Sequence, residues 1–196
     1  MRLGCILLAA GCGRRFGGNK LTFPIDGVSM LERACVLHAA LHYDACVLVA
    51  RPEDAFAADC AARFGFTLCL NARYAFGIGT SAAAGMASLT AACGALDGAL
   101  FGVCDQPYLT SETVRVLAAR FMDAPDRIVA PTCGGKRGNP VIFPRALFPA
   151  FLSLDGDVGG SAVLRAHSEL LLTVPVDCPR ELFDIDTRAA ADDSGN

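Results

Sequence analysis

The chain has 196 residues, 53% of them hydrophobic and 19% charged, with a formal net charge of −3 at pH 7. That length suits one domain with a single core, and the slight acidity argues against broad nucleic-acid binding. The longest uncharged stretch, residues 74–96, holds four glycines and eight alanines, whereas a spanning helix needs about 20 predominantly apolar residues, so no membrane partner is expected.

Residues 4–9 (GCILLA) are a continuous apolar run ended by glycine, the pattern of a buried strand. The run lacks the longer apolar region and cleavage context of a secretory signal, and a cytoplasmic location is expected. Ser29-Met30-Leu31-Glu32 is a capping box that opens a helix to about Tyr43, with Met30, Leu31, Ala34, Leu37 and Leu41 at helical spacing. A buried strand over 45–50, a helix over 53–64 and a strand over 66–70 follow. Residues 79–93 predict a helix packed closely through its alanines. The strand at 98–104 (GALFGVC) runs into Asp105-Gln106-Pro107. Then come a helix over 111–121, a strand over 127–130, a glycine-rich loop, a strand over 141–143, a helix over 158–167 and a strand over 170–174. Asp184-Ile185-Asp186-Thr187 closes the ordered part, and residues 189–196 are expected to be a disordered tail. Apolar strands alternating with helices imply a mostly parallel sheet covered on both faces. The fold class is α/β, a single three-layer domain over residues 1–188.

The ten cysteines are irregularly spaced and form no CxxC pair. Several lie in apolar runs, where free cysteine acts as a small hydrophobe, so reduced buried thiols are expected and no zinc site. His38 and His42 are spaced i, i+4 without an acidic partner and read as structural.

In such sheets ligands bind beyond the carboxyl ends of the strands, near a topological switch point. The loop after the first strand, residues 9–20, joins Ala9, Ala10, Gly11 and Gly13 to Arg14, Arg15 and Lys20. Small residues let backbone N–H groups approach an anion while the cations neutralise it. It is not a Walker A loop, because Lys20 follows Asn19 and precedes Leu21; it is not a dinucleotide fingerprint, because Phe16 fills the third glycine position. A triphosphate is the expected ligand. Asp105, directly after a buried strand, suits Mg²⁺ bridging phosphate oxygens or a turn cap, and Asp184 and Asp186, two residues apart, suit a second carboxylate or a polar strand end. Asn71, Gly77, Gly79, Thr80, Ser81 and Gly85 form a further group, in which Gly79-Thr80-Ser81 at a helix start suits a base edge or a phosphate, or Thr80 or Ser81 simply caps the helix. Gly134-Gly135-Lys136-Arg137-Gly138-Asn139-Pro140 is a basic loop returning to a strand, and Gly156-Asp157-Val158-Gly159-Gly160 is a loop entering a helix; both suit a second substrate, or only a hairpin and a cap.

These residues resemble a known family. Leu8-Ala9-Ala10-Gly11-x-Gly13-x-Arg15-Phe16-Gly17-x-x-Lys20 is similar to the signature loop of nucleoside-triphosphate transferases of the molybdenum cofactor type. Asn71, Gly77, Ser81, Gly85, Asp105-Gln106-Pro107, Gly138-x-Pro140, Gly156-Asp157-x-Gly159 and Asp184-x-Asp186-Thr187 follow in the family's order, across about residues 4–188. The double alanine and Asp-Gln-Pro resemble the molybdenum cofactor cytidylyltransferase branch. The resemblance implies a Rossmann-like nucleotidyltransferase fold and transfer of CMP from CTP to the phosphate of a molybdopterin-type cofactor, releasing pyrophosphate. Arg15, Lys20 and Asp105 would be catalytic. Ala9, Ala10, Gly11, Gly13, Arg15, Lys20, Asn71, Gly79, Ser81 and Asp105 would bind the nucleotide. Asp105 and Asp186 would hold Mg²⁺, and Gly138, Asn139, Pro140 and Asp157 would meet the acceptor. A molybdenum-enzyme chaperone or client is the further partner implied. Two positions depart from the pattern: Asn139, where the branch often has histidine, and Ser161, where arginine is expected. Three alternatives stay open: a transferase using GTP or another phosphorylated acceptor, a non-catalytic accessory protein, and an NADP enzyme with Arg51 on the 2′-phosphate.

Overall fold

The computed structural model describes residues 2–11, 13 and 16–188; Cys12, Arg14, Arg15 and the tail at 189–196 lie outside the described residues. The first strand, β1 (Leu3–Leu8), has no polar face because both of its faces are covered. Cys5, Leu7 and Ala9 enter one core, while Ile6 and Ala10 enter the other. The strands β4 (Ala45–Ala50) and β6 (Gly98–Val103) flank β1 in parallel, with Leu8 level with Val49 and Val103. The chain thus leaves β1 for β4 on one side and returns to β6 on the other. That is the topological switch point, and it brings the loop after β1 alongside Asp105 after β6.

Beyond β4 lies β5 (Thr67–Leu70), also parallel. On the other edge β9 (Val141–Pro144) runs antiparallel between β6 and β7 (Ile128–Cys133), and β10 (Leu171–Pro175) pairs parallel with β7. One face is covered by α1 (Met30–Ala39), α2 (Ala55–Phe64) and α4 (Ser111–Asp123), through Leu31, Cys35, Cys60, Leu117 and Phe121. The other is covered by α3 (Ile78–Ala92), α5 (Phe148–Leu152) and α6 (Gly160–Ala166), through Met86, Leu89, Phe151 and Val163. The three-layer α/β architecture expected from the sequence is therefore present. No helix among the described residues is long and apolar enough to cross a membrane.

Several boundaries differ from the sequence reading by a residue or more, three of them for a clear local reason. The capping box works as expected: Ser29 Oγ accepts the Glu32 N–H and donates to Glu32 Oε2. Yet α1 stops at Ala39 rather than near Tyr43, because the next residues turn back to join β1. Asp44 N–H donates to Leu3 O at 2.9 Å, its carboxylate accepts Leu3 N–H, and Tyr43 OH lies 3.0 Å from His38 Nδ1. His38 is buried, and burial pushes its pKa down to about 4, which keeps the ring neutral and structural.

The second difference is in the glycine-rich loop. β7 runs three residues further than expected and turns back through Gly134 (φ +56) and Gly135 (φ +76) into β8 (Lys136–Arg137). Two left-handed residues make the two-residue hairpin turn that fits strand twist. The third is α6, which starts at Gly160 rather than 158, because residues 155–158 are held against the start of α3. A short hairpin also went unread: β2 (Pro24–Ile25) pairs with β3 (Val28–Ser29) across Asp26-Gly27. It seats Ile25 with Phe16, Met30 and Ile185 in a small third cluster.

Candidate active site

A cleft of about 520 Å³ opens at the carboxyl ends of β1 and β6. Ala10, Gly11, Gly13 and Lys20 border it from the first loop, Asp105 from β6, Ser81 from α3, and Asp157 and Asp186 from the later loops. Lys20 opens a short 3-10 turn capped by Asn19, whose side chain accepts Leu21 N–H. The Asn19 amide also donates to Asp54 Oδ2 at 3.3 Å, and Asp54 caps α2 while pairing with Arg51 at 3.0 Å. The end of the loop is thus fixed to the start of a helix on the neighbouring crossover.

At the centre of the cleft Lys20 Nζ donates to Asp105 Oδ2 at 2.7 Å and to Asp186 Oδ1 at 3.1 Å. Burial alone lowers the Lys20 pKa, but the two carboxylates outweigh it and hold it above its ordinary value. One ammonium therefore sits between the two acids that sequence reasoning assigned to a metal. The other oxygen of Asp105, Oδ1, is buried with no hydrogen-bond partner among the described residues. An orphaned carboxylate oxygen beside a second carboxylate fits a hard divalent cation. Mg²⁺ is usually held by one or two protein carboxylates and completes its shell with phosphates and water, so two acids suffice. Accordingly, among the described residues there is no group of three or more metal-ligating side chains.

Asp186 reaches this position through a strap formed by residues 179–188. Glu181 Oε2 accepts from Thr110 N–H and from the hydroxyls of Thr110 and Thr113, tying the strap to the start of α4. The Arg180 guanidinium lies 3.8 Å over the Tyr108 ring. Ile185 is fully buried and donates its N–H to Asp105 O at 3.0 Å. Gln106 Nε2 donates to Asp184 Oδ1 at 2.8 Å. Burial first, and the Asp105 charge second, raise the Asp184 pKa. The two aspartates therefore divide the work: Asp184 anchors to Gln106, and Asp186 faces Lys20.

A second cleft of about 250 Å³ adjoins the first, sharing Leu8, Ile78, Val103 and Asp157 with it. Gly138 and Asn139 line one wall and Ser161 another, over Phe101, Val141 and Phe143.

Most residues singled out from sequence converge on these two clefts, and four do not line either one. Ala9 is 1% exposed and donates its N–H to Val49 O, so it lies in the core below the loop. Asn71 is buried, with its amide donating to Thr80 Oγ1 and Ser81 Oγ at 2.9 Å each; it orients Ser81 and does not border the cleft. Gly79 gives its N–H to Gly156 O at 2.8 Å, and a Cβ there would lie 2.7 Å from both Asp155 O and Val158 O. Gly77 (φ +123) faces the same loop so closely that a Cβ would overlap the Gly156 backbone. These glycines let the Asp157 loop pack on α3. Pro140 is buried beside the second cleft. Arg15 lies outside the described residues. Arg51, offered to a 2′-phosphate in one alternative, is instead 19% exposed and paired with Asp54. Sequence reasoning missed Tyr74 and Ala75, which border the first cleft. Arg137, part of the basic loop singled out for a second substrate, borders the second.

The model of the MobA-like NTP transferase domain matches residues 5–171. The purine catabolism protein PucB of Bacillus subtilis is 26% identical over 170 residues, covering 82% of this chain and 80% of that protein. The solved structure of Rv0371C from Mycobacterium tuberculosis in complex with manganese superposes with a TM-score of 0.80 at 19% identity, covering 99% of this chain and 98% of that one. A 4-diphosphocytidyl-2C-methyl-D-erythritol synthase from Anaerococcus prevotii superposes with a TM-score of 0.78 at 14% identity, over 99% and 94% of the two chains. With the family match spanning most of its length, the chain is a nucleotidyltransferase and belongs to the MobA-like NTP transferase domain family.

Proposed function

We propose that the chain transfers CMP from CTP to the phosphate of a molybdopterin-type molybdenum cofactor, releasing pyrophosphate. The observation that carries this reading is the Asp105–Lys20–Asp186 group in the first cleft, with an orphaned Asp105 oxygen aimed at no protein donor among the described residues. The double alanine of the signature loop favours CTP, and the ordered motifs of the second cleft favour the cofactor as acceptor. A cytoplasmic enzyme that hands its product to a molybdenum-enzyme chaperone or client fits this chemistry.

The acceptor phosphate is already an anionic nucleophile, so no general base is required. Its oxygen attacks the α-phosphorus, and the α–β bridging bond breaks with its electron pair leaving on pyrophosphate. Catalysis then rests on positioning and on neutralising charge. Asp105 and Asp186 would hold Mg²⁺, which supplies charge neutralisation at the phosphates when bound with nucleotide. Lys20, released from the two carboxylates, moves its charge to the triphosphate; Arg15 has the same role by resemblance. Backbone groups of Ala10 and Gly11, with Ser81, would read the cytosine edge. Gly138, Asn139 and Asp157 would meet the acceptor.

Thermal stability measured with CTP, GTP and NADPH, each with and without Mg²⁺, tests the nucleotide assignment. The expected result is a rise in Tm with CTP that grows when Mg²⁺ is added and exceeds that with GTP. A larger rise with GTP would move the chain to the guanylyl branch, and no rise with any nucleotide would remove the reading.

A further inference from the structure

The second cleft carries charge for which the transfer step has no use. Several guanidinium groups elsewhere are paired with carboxylates: Arg33 with Asp26, Arg51 with Asp54, Arg63 with Glu32 and Arg73 with Asp155. Arg137 on β8 and Arg165 on α6 have no ion-pair partner among the described residues. Burial first, and the Arg165 charge second, push the Arg137 pKa below its ordinary value. Arg137 borders the second cleft with no anion paired to it among the described residues, an arrangement that an incoming anion stabilises.

The backbone that carries Arg137 is held in place, and its side chain is exposed. Arg137 pairs with Thr132 in the β7–β8 hairpin, and the next residue, Gly138, donates its N–H to Pro131 O at 2.9 Å and packs against Leu182. Below it the cleft floor is rigid. Phe101 stacks on Phe151 at 4.3 Å, and Phe143 meets both rings edge-on, at 5.8 Å and 4.7 Å. The position of the reacting phosphate is constrained in turn. It must lie where the clefts meet, by Leu8, Val103 and Asp157, to reach the group around Lys20. Arg137 borders the second cleft alone.

We infer that Arg137 binds a second anionic group of the acceptor, distinct from the phosphate that reacts. The cleft then selects acceptors that carry two anionic centres on a compact body with an apolar face. This rests on the transfer reading above and adds a specificity residue to it. Arg165, one helical turn beyond Ser161, reinforces the field at Arg137 from the facing helix.

The test uses the full chain with CTP, Mg²⁺ and molybdopterin cofactor as acceptor. Arg137→Ala should raise the acceptor KM by about 10–100-fold, the scale of a lost hydrogen bond to a charged group. The KM for CTP and kcat should stay within about threefold of wild type. Cofactor binding measured without CTP should weaken by the same factor, and Arg137→Lys should recover part of it, keeping the charge but not the fork. The inference is overturned if Arg137→Ala leaves acceptor KM and cofactor binding unchanged while CTP and Mg²⁺ still stabilise the protein. It is equally overturned if the CTP KM rises as much as the acceptor KM, which would place Arg137 on the triphosphate. A wild-type chain that CTP and Mg²⁺ do not stabilise at all defeats the transfer reading itself, a result distinct from both.

Discussion

Asp105→Ala should lower turnover with Mg²⁺ by on the order of 10²–10³-fold, the loss expected when one preorganised charge stabiliser is removed from a transfer site. The size follows from its position. Asp105 is fixed by its own backbone, because its carbonyl accepts the Ile185 N–H, and one carboxylate oxygen is kept away from every described donor. Few side chains are held so firmly with a bonding position unused. The variant should still fold, since Lys20 keeps its bond to Asp186. Circular dichroism and steady-state rates on the same sample separate the two effects. Wild-type turnover in Asp105→Ala would contradict the metal assignment.

Lys20→Ala should cost a similar factor in turnover, on the order of 10²–10³-fold, while moving nucleotide-free metal affinity the other way. Its ammonium occupies the space between Asp105 and Asp186, so a cation arriving alone must compete with it. Removing the ammonium leaves two carboxylates facing one another without neutralisation, and Mn²⁺ added without nucleotide should bind more tightly, as read by electron paramagnetic resonance. Weaker Mn²⁺ binding in Lys20→Ala would mean that Lys20 builds the acidic pair and does not compete for it. The opposite signs of the two effects separate a competing, charge-stabilising lysine from one that merely holds the fold together.

Much of this arrangement was legible in the sequence because burial leaves a strong pattern. A strand covered on both faces must be apolar throughout, which is why residues 4–9, 45–50 and 98–104 stood out and why their ends marked the cleft. Ser29-Met30-Leu31-Glu32 announces a helix start through capping chemistry that depends on neighbours in the chain. What stayed hidden depends on contacts distant in sequence. The stop of α1 at Ala39 follows from Asp44 joining Leu3, and the late start of α6 follows from Gly156 meeting Gly79. Asn71 lies in a buried side-chain network and Gly79 in a close backbone approach, and in one dimension both resemble a binding motif. Asp26-Gly27 did carry a hairpin signal, but strands of two residues give no periodicity to support it. The different duties of Asp184 and Asp186 could not be separated from spacing alone, because Gln106 and Lys20 decide them.

The most direct test of the account is pyrophosphate release on mixing the full chain with CTP, Mg²⁺ and molybdopterin cofactor. The account predicts release that requires all three, proceeds more slowly with GTP in place of CTP, and yields one cytidylylated cofactor per pyrophosphate. Tight CTP binding with no pyrophosphate released over many expected turnovers would contradict it, leaving a protein that holds the nucleotide without transferring it.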